Sequence, residues 1–179
     1  MTTVIDGSGG LTANNGAIYN GIQSATAQNS TSGTSIDFTS IPSWVKRITV
    51  MFNGVSTNGT SSKQVQIGSG SIITTGYTGS TSSIANNGTP TLAAYTSGFL
   101  IDNYAVYYPA TADVDGQLVL TLITGNTWVA SGVLSNYVFP AQSYVAGKLV
   151  LSGSLDRVRI TTVNGTDTFD AGSINILYE

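Results

Sequence analysis

The chain has 179 residues, a formal net charge of −3, and 8% charged against 41% hydrophobic residues. That length suits one domain with a sizeable core, and six basic residues in all are too few for the cationic patch that nucleic acid requires. Cysteine and histidine are absent, which excludes disulfides, metal sites built on those ligands, and Ser-His-Asp or Cys-His catalysis.

An average soluble protein carries about 25% charged residues, so here something else must keep the surface wet. The sequence contains 25 Thr, 22 Ser, 13 Asn and 21 Gly. A hydroxylated, neutral surface is insensitive to salt and pH, and Thr favours extended backbone. The opening MTTVIDGSGG has neither the basic stretch nor the apolar run of a signal peptide, so export by the usual secretory route is not expected. No run approaches the roughly 18 apolar residues of a membrane-spanning helix, and no membrane insertion is expected.

In chain order, residues 1–33 come first, rich in Gly, Ser, Thr and Asn. Val4, Ile5, Leu11, Ile18 and Ile22 are their apolar positions and follow no sustained period. This segment reads as an extended N-terminal arm, either a flexible linker or a strap ordered by a partner, with those five residues as its docking candidates. A helix over 20–30 is the minor alternative.

From Thr34 the period becomes two, and a second unit, 34–179, begins. Strands are predicted at 35–39, around RITVMF (47–52), at 63–68, 71–75, 98–108 with a break near Asp102, 116–124, 127–134, 148–153, 156–163 and 173–178. Turn pairs separate them: Asn58-Gly59, Asp115-Gly116, Gly125-Asn126 and Asn164-Gly165. Asn164-Gly165 is expected to close a two-residue type I′ hairpin. About ten short strands without a convincing helix predict an all-β antiparallel sandwich or barrel.

Chemistry-bearing groups are few. Asp102, Asp113, Asp115, Asp156, Asp167 and Asp170 offer carboxylates for a glycosidase-like pair, but most sit in turn sequences, where Asp bonds its own backbone. Asp113-Val114-Asp115-Gly116 opens like a calcium loop, yet no further ligands follow. No catalytic residue, metal ligand or cofactor site is assigned. Exposed tyrosines can stack on sugars, and Tyr77, Tyr104, Tyr107 and Tyr108 are the candidates for glycan or receptor contact. Trp44 and Trp128 lie in strand-like runs and are expected in the core.

The run IPSWVKRITVMFNGVSTNGTSSKQVQIGSG, then ITTGYTGS, and the ending LDRVRITTVNGTDTFDAGSINILYE resemble modules that recur in tail-fibre and other virion proteins of tailed bacteriophages. The resemblance covers residues 34–179. It implies a β-sandwich, often a jelly roll, exposed on the virion as a homotrimer and without enzymatic activity. Such a protein is made in the host cytoplasm and contacts other tail or capsid proteins and, at a fibre tip, a host surface glycan. The short length brings in a capsid decoration protein as the alternative, its arm lying on the shell; a stand-alone carbohydrate-binding module is a further one.

Overall fold

A computed structural model of the chain describes residues 21–86, 88–103 and 112–179, together with the backbone of 5–6, 10–12 and 18–19. All regular structure among them is extended. The strands are β1 (Ile5–Asp6), β2 (Gly10–Thr12), β3 (Ile18–Tyr19), β4 (Gln23–Ser24), β5 (Gln28–Asn29), β6 (Ser35–Thr39), β7 (Arg47–Thr57), β8 (Lys63–Ser69) and β9 (Ser71–Ile72). After them come β10 (Thr78–Ala85), β11 (Pro90–Tyr95), β12 (Phe99–Leu100), β13 (Asp115–Thr124), β14 (Thr127–Asn136), β15 (Ala141–Val150), β16 (Arg157–Thr162) and β17 (Phe169–Tyr178).

Two antiparallel sheets form the expected sandwich. The large one has the order β11-β10-β15-β14-β13-β7-β17-β4, with β5 also on β17; the small one has the order β12-β8-β16-β6, with β9 on β8. This nine-plus-five order of the described strands establishes the sandwich and does not confirm the more specific jelly-roll plan of eight strands in two Greek keys. A separate antiparallel trio, β1-β2-β3, holds Ile5, Leu11 and Ile18.

Period-two patterning builds the core. On the large sheet Leu118 pairs with Val50 and Val50 with Ile176, while Leu120 pairs with Ile48; all five are buried. Facing them, Phe38 pairs with Val158 and Val158 with Ile67, again all buried. Between apolar sheets such rows bury the two inner faces at once, each side chain contributing about 1.5–3 kcal/mol. Trp128 lies in this core as predicted. Trp44 does not: the residue is 38% exposed and its ring packs at a tilt on Tyr178, with centroids 6.0 Å apart.

Gly125-Asn126 closes β13 onto β14 in two residues, with Gly125 at φ 55° in the first central position, as a type II′ hairpin asks. Asn164-Gly165 behaves differently from the predicted hairpin. β16 and β17 belong to different sheets, so residues 163–168 cross between sheets, and only Gly165, at φ 69°, is left-handed. The turn itself is present. Gly165 N–H donates to Thr162 O at 3.1 Å, and Asn164 Oδ1 accepts from the N–H groups of Thr166 (3.0 Å) and Asp167 (3.2 Å).

Asn58-Gly59 sits in the other crossover at this end, between β7 and β8. The two crossovers lock together. Asn58 N–H donates to Thr168 O and Thr168 N–H to Asn58 Oδ1, both at 2.9 Å, and Ser61 N–H donates to Asp167 Oδ2 at 2.9 Å.

The arm boundary also shifts. Residues 21–33, expected to be a linker or a strap for a partner, run along the β17 edge of their own domain. Ala25 N–H donates to Ile176 O and Ser30 N–H to Gly172 O, both at 3.0 Å, and the buried Ser30 hydroxyl donates to Ala171 O at 2.8 Å. An edge strand covered this way is protected from pairing with other chains. No helix forms over 21–30. Ile22 points outward and is 65% exposed, whereas Val4 lies outside the described residues.

Candidate functional site

Of the four tyrosines proposed for glycan or receptor contact, Tyr104, Tyr107 and Tyr108 lie outside the described residues. Tyr77 is a correction, since it is buried. Its hydroxyl accepts from Ile67 N–H at 2.8 Å and donates to Ile73 O at 2.9 Å, and its ring meets Phe99 edge-on at 4.9 Å. Tyr77 therefore sits just before β10 and stitches β8 to the segment after β9.

Tyr95 works in the same cluster. Its ring stands edge-on to Phe99 at 6.1 Å and its hydroxyl donates to Ala146 O at 2.8 Å. The space exists because Gly79 and Gly147 face each other across β10 and β15; a Cβ on either would lie 2.2–2.3 Å from the Tyr95 hydroxyl. An aromatic ring laid over paired glycines restores the packing that they lack.

Burial pushes both phenols above the ordinary tyrosine value. A raised folded-state pKa means that the fold holds the neutral phenol. The resulting stability is complete below the unfolded value, about pH 10, and is lost as pH rises toward the folded one. On raising the pH from about 8 to about 11 we expect the urea midpoint to fall, with Tyr77 and Tyr95 ionising only as the protein unfolds. A phenolate absorbance titration should show at least two late tyrosines that turn normal in urea; early ionisation of all tyrosines in the folded protein would contradict the burial of Tyr77 and Tyr95.

The carboxylates are committed to structure. Asp37 forks onto Arg159 with two 2.7 Å bonds. Asp156 accepts from Gly70 N–H and from Arg157, whose hydrogen bond holds its carboxyl below the usual range. Asp113 accepts from Tyr137 N–H at 3.2 Å, whereas Asp115 accepts from Gly54 N–H at 2.7 Å. The two therefore serve different loops instead of converging on a cation. Asp170 bonds the Ser56 hydroxyl, and Asp167 holds Ser61 and Asn164. Among the described residues no three acidic side chains group as a metal site would, and no helix is long and apolar enough to cross a membrane.

One ion pair is fully inside. Lys63 Nζ donates to Asp102 Oδ2 and to Ala112 O, both at 3.2 Å, while Asp102 Oδ1 accepts Lys63 N–H at 2.8 Å. Its two side chains are 5% and 4% exposed. Sequence reading left Lys63 as an ordinary strand lysine, because nothing local distinguishes it. Residues 102 and 112, which flank the tyrosine-rich stretch 104–111, are thereby tied to one ammonium.

Among the described residues, grooves at the rims include two of note. One, of about 350 Å3, lies between β6 and residues 25–28, with Phe38, Ile176 and Tyr178 in its wall beside Gln28 and Thr39. The other, of about 420 Å3, lies between β8 and β11 and is lined by Gln64, Tyr95, Ser97 and Leu100. Comparison with known proteins brought no match: no family model, curated protein or solved structure is significantly similar to this chain.

Proposed function

We propose that this chain is a non-enzymatic structural protein of a tailed-bacteriophage virion, exposed on the particle as a short tail fibre or host-receptor-binding tip and assembled as a homotrimer. The observation that carries the reading is the use of the carboxylates. Every Asp whose side chain is described is hydrogen-bonded within the frame of the sandwich, a structural use of carboxylates that supports a non-enzymatic reading over a hydrolase built on a carboxylate pair. A neutral Ser- and Thr-rich exterior suits a particle surface that meets varied salt and pH. The resemblance of residues 34–179 to virion modules suggests the setting.

A capsid decoration protein is the second reading, favoured by Ile22, an apolar side chain left 65% exposed at the start of the edge strap. A stand-alone carbohydrate-binding module is the third. The groove beside Tyr178 favours it, since an aromatic wall beside the hydrogen-bonding side chains of Gln28, Asp37 and Thr39 matches a sugar's two kinds of surface.

Quantitative mass spectrometry and imaging of purified virions test the proposal. A fibre or tip is present in tens of copies at the tail, a decoration protein in hundreds on the capsid. Absence from virions would overturn both virion readings, and a positive glycan array in that case would favour the third.

A further inference from the structure

Lys63 and Asp102 are held together by backbone as well as by charge. Ile101 N–H donates to Lys63 O at 3.0 Å, and Lys63 N–H donates to Asp102 Oδ1 at 2.8 Å. On its other side Lys63 pairs with Thr162 of β16. Neither residue can swing away without breaking sheet bonds, so Nζ and Oδ2 stay in contact at 3.2 Å. Their side chains are almost fully buried. A lysine amine is a nucleophile toward carbonyl carbon, and here it is pressed against a carboxyl group with little water around it.

We propose that, after folding, Lys63 and Asp102 condense to an intramolecular amide that fastens the start of β8 to the segment leaving β12. The ion pair is the state into which the chain folds, and the amide forms slowly from it. A proton passes from the Nζ ammonium to Oδ2, leaving a neutral amine beside a carboxylic acid. The Nζ lone pair attacks Cγ, and negative charge develops on Oδ1, the oxygen that Lys63 N–H already holds. The Cγ–Oδ2 bond then breaks, and Oδ2 takes a second proton from Nζ and leaves as water. One C–N bond forms, one C–O bond breaks, and nothing is oxidised or reduced.

In open water this equilibrium favours the separate ions, but the site shifts it in three ways. Groups fixed in contact react as though at an effective concentration of about 10⁵–10⁸ M. Burial makes each charge costly, and condensation removes both. The product also inherits partners already in place: its carbonyl oxygen keeps the bond from Lys63 N–H, and its remaining N–H keeps the bond that Nζ now makes to Ala112 O. A buried amide bonded at both ends leaves no polar atom unsatisfied.

Intact-mass spectrometry of the full wild-type chain, held folded for days at a warm temperature below its unfolding transition, tests this. The folded sample should become lighter by one water than the same chain held in urea, where the two groups are no longer in contact. A protease digest of the folded sample should then contain a branched peptide joining Lys63 to Asp102. Lys63→Arg keeps the charge but presents a guanidinium that stays protonated, and no branch should form in it. Should that variant fail to fold, the wild-type digest decides alone. Unchanged mass with no branched peptide overturns the proposal. So does a lost water that maps elsewhere without the branch, for example to a cyclic imide at Asp115-Gly116.

Discussion

Lys63→Met should destabilise the protein by about 3–5 kcal/mol, the effect of leaving one partner of a buried ion pair without the other. Asp102 would then keep its charge at a site where the side chain is 4% exposed, with the Lys63 N–H as its remaining partner among the described residues. The loss belongs to the orphaned carboxylate more than to the missing attraction. The double variant Lys63→Met/Asp102→Asn should therefore recover most of it, since a neutral amide oxygen still accepts from the residue 63 N–H while a methionine fills the lysine's volume. Urea unfolding of the two variants reads this directly. A single variant within about 1 kcal/mol of wild type would mean that the pair is hydrated and does not hold residues 102 and 112 together.

Phe99→Ala should cost a similar amount, about 3–5 kcal/mol. Phe99 is fully buried and pairs with Val65 on β8, and its ring is the hub on which Tyr77 and Tyr95 stand edge-on. Removing it opens a cavity between the two sheets and strips both tyrosines of their ring partner, while their hydroxyls stay tied to Ile73 and Ala146. The cavity cannot close by simple collapse. Phe99→Leu keeps most of the volume and should cost less than about 1.5 kcal/mol. Equal losses for the two variants, measured by urea denaturation, would show that the cluster tolerates repacking.

The parts of this fold that were legible are those where inward positions are apolar. β7 and β13 alternate Ile, Val and Leu with Thr, Arg and Gln, and both appear where the pattern places them. β10, β11 and the first half of β15 were missed for an identifiable reason. The inward positions of β10 are Thr81 and Ser83, and that of β15 opposite Ser83 is Ser143. These hydroxyls are buried and bonded, Thr81 to Leu100 O and Ser83 to Ser143 at 2.8 Å. A hydroxyl-lined strand carries no hydrophobic period, so its sequence looks like loop.

Turn residues announced turns but not destinations. Asn164-Gly165 does bend the chain, yet whether the following strand returns beside β16 or enters the other sheet depends on where Phe169, Ile174 and Ile176 find an apolar face, and that face is built from β7. Exposure misled in both directions for the same reason: Trp44 looked internal and Tyr77 external, because local sequence does not say which side of a sheet another element will cover. GQLVLTLIT showed apolar residues on both faces, but the exposed Leu92 and Tyr144 lie in β11 and in the first half of β15, which the pattern did not mark.

The strand order also has a temporal consequence. β7 (Arg47–Thr57) is flanked in the sheet by β13 and β17, so on a growing chain it must wait for residues 169–178 before its second edge is covered. Ser30 and Ala25 wait as long for Ala171 and Ile176. Pairings that join such distant parts of a chain form slowly, on a scale of about milliseconds to seconds, and leave strand edges open in the meantime. Synthesis itself, at about 5–20 residues per second, keeps β7 half covered for longer still. The meander β13–β14–β15 can assemble early from neighbours in sequence, whereas the centre of the sheet closes last, when the carboxyl-terminal strand slides in between β7 and the waiting strap.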